Sequence, residues 1–154
     1  MSAVNEYQSL SESFSWDEYR DMCEWDARSE VNIGHEVAGG DATDDEVAMY
    51  WRGTDGNEET RTFGELERRS NRVANVLEDL GIEREQRVFT YLPRIPEHYV
   101  TILGTLKAGA VFGAINERYG PDGVEHRLDD SDARAVVTTP GNRETIREAT
   151  ADID

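Results

Sequence analysis

From Arg87 to Ala149 strand-like and helix-like segments alternate, and no other feature of the sequence constrains the fold as strongly. Arg87-Val88-Phe89-Thr90-Tyr91-Leu92 has strand character and stops at Pro93. Pro96 suits the first position of a helix, where its missing N–H would be unpaired anyway, and that helix runs to about Lys107 with Gly109 beyond its end. Ala110 to Ile115 is a short apolar run of the kind found in strands buried on both faces. Pro121 opens a helix to about Asp130, Ala135-Val136-Val137-Thr138-Thr139 forms a strand closed by Pro140, and a last helix covers Asn142 to Ala149. A β-α-β-α-β order predicts an α/β fold with a parallel sheet joined by right-handed crossovers.

Upstream, the pattern is different. Thr62 followed by Glu65 makes a capping box, in which each side chain satisfies the other residue's backbone N–H. It opens a helix with Leu66, Val73, Val76, Leu77 and Leu80 on one face and Gly81 at its end. Before it, Val47–Arg52 and Glu59–Thr62 flank Gly53-Thr54-Asp55-Gly56-Asn57, a turn suited to a β-hairpin. A short helix is predicted over Asn32–Ala38, ended by Gly39-Gly40. A first helix is predicted from Trp16 to about Arg28, with Trp16, Tyr19, Met22, Cys23 and Trp25 forming a stripe against the body of the protein. Residues 1–15 read as a polar lead-in. Three parallel strands and a hairpin make a small sheet, so an open sheet edge is expected, as in an incomplete domain.

Acidity narrows the range of partners. The chain carries 33 acidic and 16 basic residues, a formal charge of −17, which repels phosphate backbones and anionic membranes. The carboxylates are spread along the whole chain, and Lys107 is the only lysine. Spread acidity with almost no lysine resembles proteins of salt-loving archaea, where molar salt screens self-repulsion over ~3 Å. Cys23 stands alone, and His35, His98 and His126 share no ligand spacing, so neither an internal disulfide nor a metal site is expected. The N-terminus has no basic start followed by an apolar core, and the longest apolar stretch, Val100 to Ile115, is interrupted by Lys107 and falls short of the ~20 residues of a membrane span. A cytoplasmic protein, binding neither nucleic acid nor membrane, is the expectation.

General searches for chemistry find no P-loop, dinucleotide fingerprint, nucleophile elbow or zinc-protease helix. Glu65 reads as a helix cap. Lys107 reads as a cation at a helix C-terminus, where the helix dipole favours it, and His98 and His126 as packing or surface residues.

Two stretches are more specific. Thr62-Phe63-Gly64-Glu65-Leu66 leads into Ser70-Asn71-Arg72-Val73-Ala74-Asn75-Val76-Leu77; further on come Tyr91-Leu92-Pro93-Arg94-Ile95-Pro96-Glu97 and Leu103-Gly104-Thr105-Leu106-Lys107-Ala108-Gly109-Ala110-Val111-Phe112. In order and spacing they resemble the first two core motifs of the adenylate-forming family, which includes AMP-forming acyl-CoA synthetases, luciferases and peptide-synthetase adenylation domains. Trp25-Asp26, Asn32-Ile33, Tyr119-Gly120-Pro121-Asp122-Gly123-Val124, Arg127-Leu128 and Val136-Val137-Thr138-Thr139 are similar to the acetyl-CoA synthetase branch. The resemblance covers residues 16–154 and implies the first part of an AMP-dependent synthetase/ligase N-terminal domain.

The resemblance implies a reaction in which a small carboxylic acid and ATP, with Mg, form an acyl-adenylate and the acyl group then passes to the thiol of CoA. It also implies that the phosphate loop, the adenine and acyl pocket, the ribose-binding aspartate and a catalytic lysine lie downstream, so that no catalytic residue and no cofactor belongs to this chain alone. Arg143 and Arg147 fall near the place where the family's arginines approach the phosphorylated end of CoA, although Pro140-Gly141-Asn142 departs from the family's form. Three readings stay open: a segment of a longer synthetase, a non-catalytic module completing a separately encoded remainder in trans, and a stand-alone acidic binding domain.

Overall fold

The computed structural model describes residues 11, 13–22, 31–39 and 43–153. They fall into two units. In the first, residues 1–31, helix α1 spans Trp16–Met22, and the remainder of the expected helix lies outside the described residues. The ring of Trp16 meets that of Phe14 edge-on at 5.0 Å. Trp16 is 66% exposed, and Cys23 and Trp25 of the expected aromatic stripe lie outside the described residues.

The second unit, residues 32–154, holds α2 (Ile33–Gly39), β1 (Val47–Arg52), β2 (Glu58–Thr62), α3 (Phe63–Asp79), β3 (Arg87–Tyr91), α4 (Pro96–Lys107), β4 (Val111–Ala114), α5 (Pro121–Asp130), β5 (Ala133–Thr138), a 3-10 turn (Pro140–Asn142) and α6 (Arg143–Ala149). β1 and β2 form the expected antiparallel hairpin, and β3, β4 and β5 form a parallel sheet in the order β4-β3-β5. β5 starts two residues earlier than expected. An irregularity there pairs Arg87 with Ala133 and Val88 with Ala135, so Arg134 is the extra residue.

Local chemistry accounts for the helix ends. Thr62 and Glu65 make the predicted capping box. α3 and α4 both finish in a Schellman motif: Gly81 and Gly109 take φ of 78° and 72°, and Ile82 and Ala110 donate to the carbonyls of Leu77 and Thr105. Lys107 stands in the last turn of α4, as the sequence suggested, but it is not the group that caps that end. Its ammonium reaches Asn71 Oδ1 on α3 at 2.8 Å, and the last carbonyls of α4, those of Leu106 and Lys107, accept from Asn32 Nδ2.

The two faces of the sheet have different covers. Val88 and its register partner Phe112 face α3 and α4: Val88 packs with Leu77, and Phe112 meets His98 of α4 at 6.1 Å. Phe89 and Tyr91 point the other way and pack with Val124 and Leu128 of α5 and with Ile146 and Ala149 of α6. The Phe89 ring lies over Gly113, where a Cβ would come within 2.3 Å of it. Among the described residues no helix is long and apolar enough to cross a membrane.

Candidate functional site

In an open parallel sheet, ligands gather beyond the carboxyl ends of the strands, where neighbouring strands send their connections to opposite faces and leave a crevice. β3 and β5 are such neighbours. β3 continues into α4 on the Val88 face, and β5 into α6 on the Tyr91 face. The segments that border this divide are residues 92–95 after β3, 139–142 after β5, and 115–120 after β4.

The loop after β4 is held from below. Tyr91 is 2% exposed, and its hydroxyl lies 2.8 Å from the Glu117 carbonyl and 2.7 Å from that of Tyr119, one proton serving the two acceptors. The Arg127 guanidinium sits 3.8 Å over the Tyr119 ring and donates to the Gly123 carbonyl. Asn116 Oδ1 accepts the Arg118 amide. Thr138 Oγ1 ties the end of β5 to the Tyr91 carbonyl at 2.9 Å. The loop after β3 is held from the hairpin, since Trp51 Nε1 donates to the Arg94 carbonyl at 2.7 Å.

The structure places Arg143 and Arg147 one turn apart on α6, both exposed, at the carboxyl edge of the sheet. They differ in electrostatic state. Arg147 pairs with Glu144 at 3.1 Å, whereas Arg143 forms no ion pair with a described residue. Arg94 and Arg118, exposed in the loops after β3 and β4, are likewise without an acidic partner among the described residues. At the opposite edge Arg87 and Arg134 are both satisfied by Asp132. The carboxyl edge thus holds three exposed arginines, Arg94, Arg118 and Arg143, without an acidic partner among the described residues. The sequence reading passed over Arg94 and Arg118; their signal was position alone, a few residues beyond each strand end.

No catalytic constellation accompanies these arginines. His126 is exposed on α5; His98 is half-buried on α4, with its pKa lowered by burial, and touches Tyr99 and Phe112 rather than an acid or nucleophile. Among the described residues no group of His, Cys, Asp and Glu could hold a metal ion. A separate apolar groove of about 460 Å³ opens between β1, α2, α3 and α4, with Val37, Met49, Trp51, Tyr99 and Ile102 on its walls.

A family model described as AMP-binding enzyme matches residues 37–154. The chain belongs to the AMP-binding enzyme family. The match runs through β1 to α6 and so includes the whole carboxyl edge of the sheet. This AMP-binding chain is 34% identical over 147 residues to the acetyl-coenzyme A synthetase of Bacillus subtilis, covering 93% of its own length and 26% of the relative's. It is 30% identical over 145 residues to the enzyme of the same name from Chlorobaculum tepidum, covering 87% and 22%. Among solved structures it is similar to Brucella canis acyl-CoA synthetase, with a TM-score of 0.82, 29% identity and coverage of 93% of this chain and 26% of that one. It is also similar to a benzoate CoA ligase from Burkholderia xenovorans, with a TM-score of 0.68, 25% identity and coverage of 80% and 24%. The parallel sheet and hairpin are thus those of the adenylate-forming N-terminal domain, and the AMP-binding chain spans about a quarter of the length of these relatives.

Proposed function

We propose that the chain is the N-terminal segment of an acid–CoA ligase acting on acetate or another short- or medium-chain acid. Such a ligase joins the carboxylate to ATP as an acyl-adenylate with Mg and pyrophosphate release, then hands the acyl group to CoA. The observation that carries this reading is the 34% identity to an acetyl-coenzyme A synthetase over nearly the full chain, together with a matching fold. The segment's share of the work is scaffolding: it sets the parallel layer and presents the carboxyl edge. There Arg143, and more weakly Arg147, meet the phosphorylated end of CoA. An exposed guanidinium without an acid partner suits a phosphate, since it holds its charge at every working pH and donates in a planar fork. In this reading the chain alone is inactive, because the resemblance implies that the phosphate loop, the ribose-binding aspartate and the catalytic lysine lie further along the ligase. Its spread acidity suits a salt-rich cytoplasm, and its other partner is the remainder of the ligase.

The test compares two proteins. One is the 154-residue chain; the other is the Bacillus subtilis acetyl-coenzyme A synthetase with its matching segment replaced by this chain. Acetate-dependent AMP formation by the hybrid and none by the chain alone is the expected result. AMP formation by the chain alone overturns the scaffolding role, and a folded hybrid without acetate-dependent activity overturns the ligase reading.

A further inference from the structure

We infer that the Tyr91 hydroxyl is a positioning group: it holds Arg118, in the loop after β4, as a contact for a phosphate group of a substrate. This rests on the ligase reading for which substrate carries the phosphate, and on the geometry of the loop alone for the choice of residue.

The backbone around Arg118 is tied at every step. Asn116 to Tyr119 form a turn, closed where the Tyr119 amide donates to the Asn116 carbonyl at 3.0 Å. Within it the Arg118 amide donates to Asn116 Oδ1 at 3.0 Å. The residues on either side of Arg118, Glu117 and Tyr119, both turn their carbonyls inward to the Tyr91 hydroxyl, at 2.8 and 2.7 Å. Tyr119 is fixed a second time by the Arg127 guanidinium, 3.8 Å over its ring. Three ties to the sheet and to the turn itself therefore set the path of an exposed loop, and Arg118 sits in the middle of it.

The core does not need that hydroxyl. The buried Tyr91 ring already packs with Ile115, Val124 and Leu128, and a phenylalanine would fill the same space. What the hydroxyl adds is the conformation of one surface loop. Ordering a loop and a long side chain on binding weakens affinity, and a loop fixed beforehand avoids that loss. The side chain so presented is uncommitted: Arg118 has no acidic partner among the described residues, whereas Arg127 beside it is engaged by the Tyr119 ring and the Gly123 carbonyl. The loop lies at the carboxyl end of β4, on the edge where parallel sheets bind ligands. A guanidinium that stays charged and donates in a planar fork suits the oxygens of a phosphate. In the ligase reading such phosphates come from two sources, ATP and CoA, and the chemistry of the contact is the same for both.

Three variants and two measurements test this. In the 154-residue chain, pyrophosphate added at one fixed salt concentration should shift the Arg118 Nε–H resonance saturably, and Arg118→Gln should abolish the accompanying response of amides 116–120. Tyr91→Phe, folded by far-UV ellipticity, should weaken pyrophosphate binding about ten-fold. Parent-like binding by that variant, or no response at Arg118 in the parent, overturns the inference. If Tyr91→Phe does not fold, Asn116→Ala decides in its place: it removes the tie to the Arg118 amide from an exposed position, and parent-like binding by it overturns the inference equally. In the hybrid enzyme described above, Tyr91→Phe and Arg118→Gln should each raise the KM for one phosphorylated substrate about ten-fold, with kcat and the KM for acetate unchanged. Whether the KM for CoA or for ATP rises identifies the source of the phosphate. A lower kcat with every KM unchanged is the mark of a merely structural role and also overturns the inference. A hybrid without acetate-dependent activity removes the ligase reading alone, because the pyrophosphate titration scores Arg118 and Tyr91 without it.

Discussion

The side-chain amide of Asn32 donates to the Lys107 carbonyl at 3.1 Å, and to that of Leu106 at the same distance, while its oxygen accepts the His35 amide at 3.1 Å. One side chain thus caps the N-terminus of α2 and the C-terminus of α4, 74 and 75 residues away. Helix ends leave backbone groups unsatisfied, and an amide, with a donor and an acceptor on one plane, is the side-chain group that serves both ends.

Asn32→Ala should therefore destabilise the fold by about 2 kcal/mol, combining a lost N-cap with carbonyls left half-buried. Asn32→Asp keeps the acceptor for His35 but sets a carboxylate against the negative end of α4, and should be no more stable than the alanine variant. Denaturant midpoints at one fixed salt concentration decide it, and a variant Asp as stable as the parent would remove the double-cap account.

Gly104 sits where α3 and α4 cross, and a Cβ there would lie 2.5 Å from Val73 Cβ and 2.8 Å from the Ser70 carbonyl. Gly104→Ala should cost about 1–3 kcal/mol by forcing the helices apart. Gly81→Ala meets nothing within 4 Å, yet its φ of 78° should cost about 1 kcal/mol through the backbone alone. Crystal structures or helix-contact NMR of the two variants should show a displaced α4 only in the first.

Burial lowers the His98 pKa below its ordinary value of 6.5. Between the folded and unfolded values the unfolded chain holds more protons, so stability rises with pH there. The contribution is complete above about pH 6.5 and is lost as pH falls through the folded value. His98→Gln should flatten this part of the stability profile. Midpoints measured from pH 5 to 7.5 that keep their slope in the variant would assign it to other groups.

At −17 net charge the folded chain repels itself, and only salt shortens the range of that repulsion, from ~10 Å at 0.1 M to ~3 Å at 1 M. Helical ellipticity should fall on dilution from molar to low salt and return on adding it back. A spectrum indifferent to salt would contradict the halophilic reading.

Arg143 has no acid partner among the described residues, and Arg147 has Glu144. In the hybrid enzyme Arg143→Ala should raise the KM for CoA about ten-fold, the loss expected of one charged hydrogen bond to phosphate, with the KM for ATP and acetate unchanged. Arg147→Ala should have the smaller effect. Equal rises for all three substrates would mean that Arg143 holds the fold rather than CoA.

What the sequence alone determined is local or periodic. The capping box at Thr62 and Glu65, the glycines at 81 and 109, the prolines opening α4 and α5, and the β-α-β-α-β order all depend on residues within a few positions of one another. The family motifs lie in that same stretch. The tertiary structure decided what is nonlocal: Asn32 against α4, Lys107 turned to Asn71, Trp51 against the loop after β3, and the β4-β3-β5 order that separates β4 from β5. It also decided which arginines keep an unneutralised charge. Glu144 precedes Arg147 by three positions on one helix face and pairs with it, whereas Arg143 meets no acid among the described residues from any other element.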